Sequence, residues 1–110
     1  MEETYWIKKQ SQDLFDKALK LESEGNTEGA IRAYLDSLNI NPRNAQALYN
    51  LGIAYATICK IDQAISSWRR AIWLEPSFRD ELAKAFAIED NNLETLIDDS
   101  YLSYDYRKAA

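Results

Sequence analysis

The sequence repeats one apolar pattern at an interval of 34 residues. Ten positions between Leu14 and Pro42 recur between Leu48 and Pro76 as the same residue or a similar one. A period of this length is typical of stacked supersecondary units, in which each unit buries its apolar face against the next. Such stacks usually provide a surface that holds other proteins, and they seldom enclose a pocket for chemistry.

The second copy, residues 45–78, predicts two antiparallel helices. Apolar residues recur at helical spacing from Ala45 to Thr57 and again from Asp62 to Leu74. The link between the two segments is short, which forces the helices to lie side by side in opposite directions. Pro76 cannot continue a helix and therefore ends the second one.

Polar residues at the starts of these segments predict the helix caps. We expect Asn44 and Asp62 to cap the two helices of the second copy. In the first copy, Gly25 and Asn26 predict the turn, and Thr27 is the expected cap of the helix that follows.

Small residues recur where the helices of one unit should meet. Gly52 on the first helix and Ala64 on the second leave little bulk between the backbones, so we expect a close approach there. Trp68 is expected to fill a larger gap further along the same contact.

The second copy resembles the tetratricopeptide repeat (TPR). The resemblance rests on eight positions with the spacing of that motif: Leu48, Leu51, Gly52, Tyr55, Ala64, Trp68, Ala71 and Pro76. Residues 11–44 are a weaker copy, with Lys17 and Ser37 in two of the apolar positions. The resemblance implies an all-α fold, a right-handed α-solenoid of helix-turn-helix hairpins with two good repeats and a divergent C-terminal pair of capping helices.

We expect residues 1–110 to form a single domain. Its predicted parts are repeat 1 with an N-terminal helix extension (4–44), repeat 2 (45–78), a degenerate repeat or cap (79–104) and a tail (105–110). Trp6 is expected to shield the open end of the stack. Phe86 and Asp98 stand where the other units have small residues, so the third pair should serve as a terminal cap.

In this family, the first helices of successive repeats line a concave groove that usually binds peptides. The resemblance implies such a site here at Phe15, Leu19, Tyr49, Asn50, Ile53 and Lys84. Because the central strip is apolar, the expected partner is a protein or peptide with a hydrophobic helix or extended segment. The alternative is that other parts of the same chain cover this strip.

One TPR subfamily binds the C-terminal carboxylates of Hsp70 and Hsp90 through a clamp of Lys and Asn residues. Phe15, Leu19 and Asp80 replace three members of that clamp. Asp80 would also repel a carboxylate at close range. We therefore predict that this chain does not bind those termini.

Trp73 predicts a second interface together with Arg69 and Arg70, which precede it by about one helical turn. Its position on the second helix of a unit normally faces solvent, and an exposed tryptophan beside arginines is typical of an interface anchor. The alternative is that the C-terminal helix covers it.

Composition argues against several classes of function. The sequence has no histidine and one cysteine, Cys59, so we predict no catalytic residue, no metal site and no cofactor. Residues 85–106 carry six carboxylates and no Lys or Arg, which disfavours nucleic acid as a partner. No apolar stretch is long enough for a membrane span. The acidic start is unlike a secretory signal, and we expect a cytoplasmic location.

Two functional hypotheses remain. In the first, the chain is a non-enzymatic protein–protein interaction module of the adaptor, scaffold or assembly-factor type. In the second, it is a structural module that self-associates, as a homodimer or larger assembly, through its open ends or its C-terminal tail.

Overall fold

A computed structural model describes residues 2–86, which form five α-helices. These are α1 (Glu2–Ser23), α2 (Thr27–Ile40), α3 (Ala45–Thr57), α4 (Ile61–Leu74) and α5 (Phe78–Phe86). Over that range the backbone contains no strand, and no helix has the length and apolar character needed to cross a membrane.

The helices pair as the repeat predicts. α1 packs against α2, α3 packs against α4, and the two hairpins meet through α2 and α3. α5 follows on α4 as the first helix of a third unit. The predicted all-α architecture of TPR-type hairpins is therefore confirmed. The second helix of the predicted cap and the tail lie outside the residues that the structure describes.

Both hairpins reverse the chain with the same turn. After α1, Gly25 has a φ of 80°, and the Asn26 N–H donates to the Leu21 carbonyl at 2.8 Å. After α3, Cys59 has a φ of 63°, and the Lys60 N–H donates to the Tyr55 carbonyl at 2.9 Å. A left-handed residue followed by this backbone bond is the Schellman termination. The repeat thus extends to the backbone of the turns.

One of the three predicted helix caps is observed, and the other two helices begin at different residues. Asn44 caps α3 as predicted, since its side chain accepts from the Ala47 N–H at 3.1 Å. The cap of α2 is Asn26, which accepts from the Gly29 N–H, and Thr27 is the first helical residue. α4 begins after Lys60, which makes no side-chain capping bond. Asp62 lies within the first turn of α4, where its negative charge favours the positive end of the helix dipole.

The core consists of two clusters that share the repeat pattern. The first joins α1, α2 and α3, and its buried residues are Ala18, Ala30, Ile31, Ala33, Tyr34, Ala47, Leu51 and Ala54. The second joins α4 and α5 through Ala64, Ile65, Trp68 and Leu82, with side chains of α3 packed against it. Five of the eight residues in the first cluster are alanines, which allows close approach of the helices.

Gly52 makes room for Trp68. A Cβ built at Gly52 would overlap the indole ring, whose atoms are its nearest neighbours. The indole Nε1–H donates to the Tyr49 carbonyl at 3.2 Å, one turn earlier on α3. The expectation that Trp68 fills a different gap, further along the contact, is wrong, because the indole itself occupies the space at Gly52.

Ser37 and Ser11 form a buried polar contact between α2 and α1. Ser37 Oγ donates to the Ser11 carbonyl at 2.8 Å, and Ser11 Oγ donates to the Ser37 carbonyl at 3.2 Å. The second copy has Ala71 at the position of Ser37. The first hairpin therefore uses hydrogen bonds where the second uses apolar contact.

The first two turns of α1 present aromatic residues to solvent. Tyr5 and Trp6 are 58% and 61% exposed, and their rings meet edge to face at 5.2 Å. The prediction that Trp6 shields the open end is wrong, because its ring remains mostly exposed.

Candidate functional site

The residues of α1 that the sequence assigned to a groove differ in how deeply they are buried. Phe15, Leu19 and Glu22 lie at i, i+4 and i+7, which places them on one face of the helix. Phe15 is half-buried, and its ring centroid lies 5.9 Å from that of Tyr34. Leu19 is 41% exposed. Leu19 is therefore the accessible apolar residue of this face, whereas Phe15 lies deeper and packs against the core.

The corresponding residues of α3 form a continuous surface with α5. Tyr49 stacks on Phe78 at the start of α5, with ring centroids 4.8 Å apart and an interplanar angle of 23°. Ile53, one turn later, is half-buried and packs against the same core cluster as Tyr49. Both side chains combine a buried base with an accessible edge.

The polar residues of this face are held by matching hydrogen bonds on α1 and α3. Gln46 Nε2 donates to Asn50 Oδ1 at 2.9 Å, and Gln12 Nε2 donates to Asp16 Oδ1 at the same distance. The two pairs occupy equivalent positions of successive repeats. Asn50 therefore accepts through its amide oxygen from Gln46, and its amide also interacts with the Tyr34 hydroxyl.

Glu22 of α1, Tyr34 of α2 and Asn50 of α3 bring their polar groups together. Burial raises the pKa of the Tyr34 hydroxyl, and the Glu22 carboxylate raises it further, whereas Asn50 acts in the opposite direction. Tyr34 Oη and Glu22 Oε1 are both buried, and the hydroxyl interacts with the carboxylate although neither atom makes a hydrogen bond of good geometry within residues 2–86. The two buried polar groups at the junction of the first three helices therefore interact with each other.

α5 contributes charge to the other end of the same surface. Lys84 is exposed in the last turn of α5. Burial raises the pKa of Tyr49, and the charge of the exposed Glu81 raises it further. α5 therefore carries both an acidic and a basic exposed side chain beyond the stacked pair of Tyr49 and Phe78.

The predicted second interface lies on the second helix of its unit. Arg69, Arg70 and Trp73 of α4 are all half-buried. The guanidinium of Arg43, in the loop before α3, lies 5.9 Å from the centroid of the Trp73 ring, within cation–π range. The alternative prediction was that a C-terminal helix covers Trp73. The residues of that predicted helix lie outside the part of the chain that the structure describes.

Three of these contacts were not anticipated from the sequence. Phe78 aligns with Asn44 of the preceding unit, so the repeat gave no sign of an aromatic stack. Arg43 lies in a loop whose path the helical pattern does not specify. Glu22 was a groove position by spacing, but its proximity to Tyr34 depends on how α2 packs between α1 and α3.

Comparison with known families agrees with this architecture. Residues 18–58 match the family model described as TPR repeat, and residues 45–78 match that of the tetratricopeptide repeat. Together the two matches span residues 18–78, more than half of the chain. The chain belongs to the tetratricopeptide repeat family, and its repeats constitute a protein–protein interaction module.

Two plant proteins share part of this sequence. They are described as probable UDP-N-acetylglucosamine–peptide N-acetylglucosaminyltransferase SPINDLY, from Hordeum vulgare and from Oryza sativa subsp. japonica. Identity with each is 33% over 63 residues, which is 57% of this chain and 7% of the relative. The chain therefore corresponds to a small fraction of the length of those proteins.

Proposed function

We propose that this chain is a non-enzymatic adaptor that binds a peptide or helix of a partner protein along α1, α3 and α5. The residues assigned to the groove are Phe15, Leu19, Tyr49, Asn50, Ile53 and Lys84. Binding would bury the accessible edges of the apolar side chains and add hydrogen bonds from Asn50. The chain makes and breaks no bond in this proposal.

The proposal rests on the partial exposure of the apolar residues on this face. Leu19 is 41% exposed, and Phe15, Tyr49 and Ile53 are anchored in the core yet only half-buried. Side chains fixed by packing on one side and accessible on the other can contact a ligand with little loss of conformational freedom. They are therefore suited to bind an apolar segment.

Leu19→Glu is the most direct test, because Leu19 is accessible and its replacement leaves the core intact. Affinity capture with the full chain followed by mass spectrometry would compare the variant with the wild type. We expect the partners bound by the wild type to be lost, since the new carboxylate would have to be buried without a pair.

Leu35→Glu provides the matched control. Leu35 is 45% exposed and lies on α2, outside the proposed groove. The same partners should remain bound to this variant. Retention of every partner by Leu19→Glu, or equal loss from both variants, would contradict the groove assignment.

Transferase activity is not part of the proposal. The two plant relatives share only 7% of their length with this chain, and we do not transfer the activity in their names to it. We propose binding as the whole function, and we retain the cytoplasm as its expected location.

Self-association is a second candidate, supported by the exposed aromatic residues at the start of α1. Tyr5, Trp6 and Ile7 are each more than half exposed on consecutive positions. Such a cluster could pack against the same end of a second copy. Sedimentation velocity over a wide concentration range tests this, and a monomer at every concentration would exclude it.

A further inference from the structure

The outer face of α4 is more shielded than the equivalent face of α2. Residues 34 positions apart occupy equivalent places in the two repeats. On α2 the four residues of this face are all exposed: Arg32, Leu35, Asp36 and Asn39. On α4 their equivalents are all half-buried, and together they are called the Trp73 face: Ser66, Arg69, Arg70 and Trp73. One guanidinium nitrogen of Arg69, Nη1, is buried. The chain therefore shields this face of α4 and leaves that of α2 open to solvent.

The Trp73 face is basic and aromatic. Arg69 and Arg70 precede Trp73 by about one helical turn, and the guanidinium of Arg43 lies 5.9 Å from the centroid of its ring. The charged residues at the two ends of α4 are all exposed: Lys60, Asp62 and Glu75. α5 carries equal numbers of acidic and basic residues. The three arginines around one indole therefore make a local excess of positive charge, with donors for carboxylates and a surface for apolar side chains.

Residues 87–106 have the complementary composition. They carry six carboxylates and no Lys or Arg, and Arg107 and Lys108 follow them. Large apolar residues are interspersed with the acidic ones: Leu93, Leu96, Ile97 and Tyr101. An acidic segment with apolar side chains matches a face of arginines around a tryptophan, because charge complementarity and apolar burial then act at the same contact.

The same segment starts beside the Trp73 face. α5 packs against α4, and the two helices are joined by residues 75–77 alone. Because this link is short, α5 runs back along α4 and ends beside it. At 1.5 Å per residue, α4 is about 21 Å long, and residues 87–106 would span about 30 Å even as a helix. The segment can therefore reach every residue of the face.

We propose that residues 87–106 dock on the Trp73 face of the same chain, with their carboxylates on the arginines and their apolar side chains against Trp73. This inference makes no use of the groove and goes beyond the proposed function. The second interface predicted from Trp73 is then internal to the chain. An acidic partner has to displace the segment before it can bind there.

The three tryptophans allow a direct test in the full chain. Their indole Nε1–H groups give three NMR signals; replacement by Phe assigns those of Trp6 and Trp73, and the third belongs to Trp68. A nitroxide attached at Ser100→Cys, in a Cys59→Ser background, broadens the signals of nearby protons. We expect strong broadening for Trp73, weaker broadening for the buried Trp68, and none for Trp6 near the start of α1.

Arg70→Glu should abolish most of the broadening at Trp73, because it sets a carboxylate against the acidic segment. Arg32→Glu makes the same charge change on the equivalent face of α2 and should leave the broadening unchanged. Replacement of all six carboxylates of residues 87–106 by amides should act like Arg70→Glu without altering the described helices. High salt should weaken the contact as well. Far-UV circular dichroism and thermal unfolding would establish that each variant is folded.

The inference is overturned if the nitroxide broadens Trp73 no more than Trp6, or if Arg70→Glu and Arg32→Glu have equal effects. A mixture of nitroxide-bearing chain with isotope-labelled chain that lacks the nitroxide separates contacts within one chain from contacts between two. Broadening of Trp73 in that mixture would identify a second copy as the occupant and overturn the inference too. Leu19→Glu should leave the broadening unchanged, so this inference and the proposed groove fail independently.

Discussion

The indole ring of Trp68 lies against the backbone of Gly52, in the space that a side chain at that position would need. Gly52→Ala should therefore force the ring or α3 to move. We expect a loss of about 1–3 kcal/mol in the free energy of unfolding, the usual effect of overpacking a core. Urea denaturation followed by circular dichroism measures this loss.

The first repeat supplies the control for this prediction. Ala18 and Tyr34 occupy the positions equivalent to Gly52 and Trp68, and both are fully buried. The double variant Gly52→Ala, Trp68→Tyr should thus be more stable than Gly52→Ala alone. Strictly additive losses would show that the glycine and the ring are not coupled.

Cys59 has a positive φ of 63° at the position where the first hairpin uses glycine. A residue with a Cβ pays a steric penalty in this conformation, and Cys59→Gly should raise the free energy of unfolding by about 1 kcal/mol. Thermal unfolding should show a matching rise in the melting temperature.

Gly25→Ala is the reciprocal change and should lower stability by a similar amount. A Cβ at Gly25 would meet no atom within 4 Å, so the loss would come from the backbone alone. Cys59→Ser separates the thiol from the backbone effect, because it keeps the Cβ. A gain from Cys59→Ser equal to that from Cys59→Gly would refute the explanation.

Lys60 precedes α4 without a side-chain capping bond, whereas Asn26 caps α2 at the equivalent position. Lys60→Asn should supply the missing acceptor and stabilise the protein by about 1 kcal/mol. Lys60→Ala, which removes the charge without adding a cap, should not stabilise it. If chemical denaturation gives the two variants the same stability, charge and not capping explains the result.

Ser11 and Ser37 share two side chain-to-backbone hydrogen bonds in the buried contact of α1 with α2. Each single replacement by Ala should cost about 1 kcal/mol, the usual net worth of a hydrogen bond. The double replacement should cost less than the sum, because it recreates the apolar contact that the second hairpin makes with Ala71. A double-mutant cycle by urea denaturation measures this coupling, and simple additivity would count against it.

Tyr34 predicts a loss of stability at alkaline pH. Burial raises the pKa of its hydroxyl above the ordinary value of 10.0, and Glu22 raises it further. The folded state therefore keeps the proton over a pH range in which the unfolded state has lost it. This contribution is complete below about pH 10 and declines as the pH rises beyond it.

Tyr34→Phe should remove this part of the pH dependence and change stability near neutral pH only slightly, because the hydroxyl makes no hydrogen bond of good geometry among the described residues. Chemical denaturation of both proteins from pH 7 to pH 11 provides the comparison. Parallel stability curves over that range would contradict the assignment to Tyr34.

The sequence was sufficient to predict the architecture because two periods are superimposed in its repeat. Apolar residues at helical spacing specify helices, and their recurrence after 34 residues specifies identical hairpins that must bury equivalent faces. The caps were less predictable. Asn26, Thr27 and Asp62 are all acceptable cap residues, and the residue that starts a helix depends on the backbone of the preceding turn.

By itself, the sequence determined that this protein is an all-α stack of TPR hairpins and which faces of its helices are apolar, because local periodicity encodes both. Only the tertiary structure decided that Gly52 accommodates Trp68, that Phe78 stacks on Tyr49, and that Glu22 meets Tyr34. These contacts join residues on different helices, and their partners are set by the depth and rotation at which the helices pack. A pattern read along one chain specifies the face of a residue but not its neighbour across the interface.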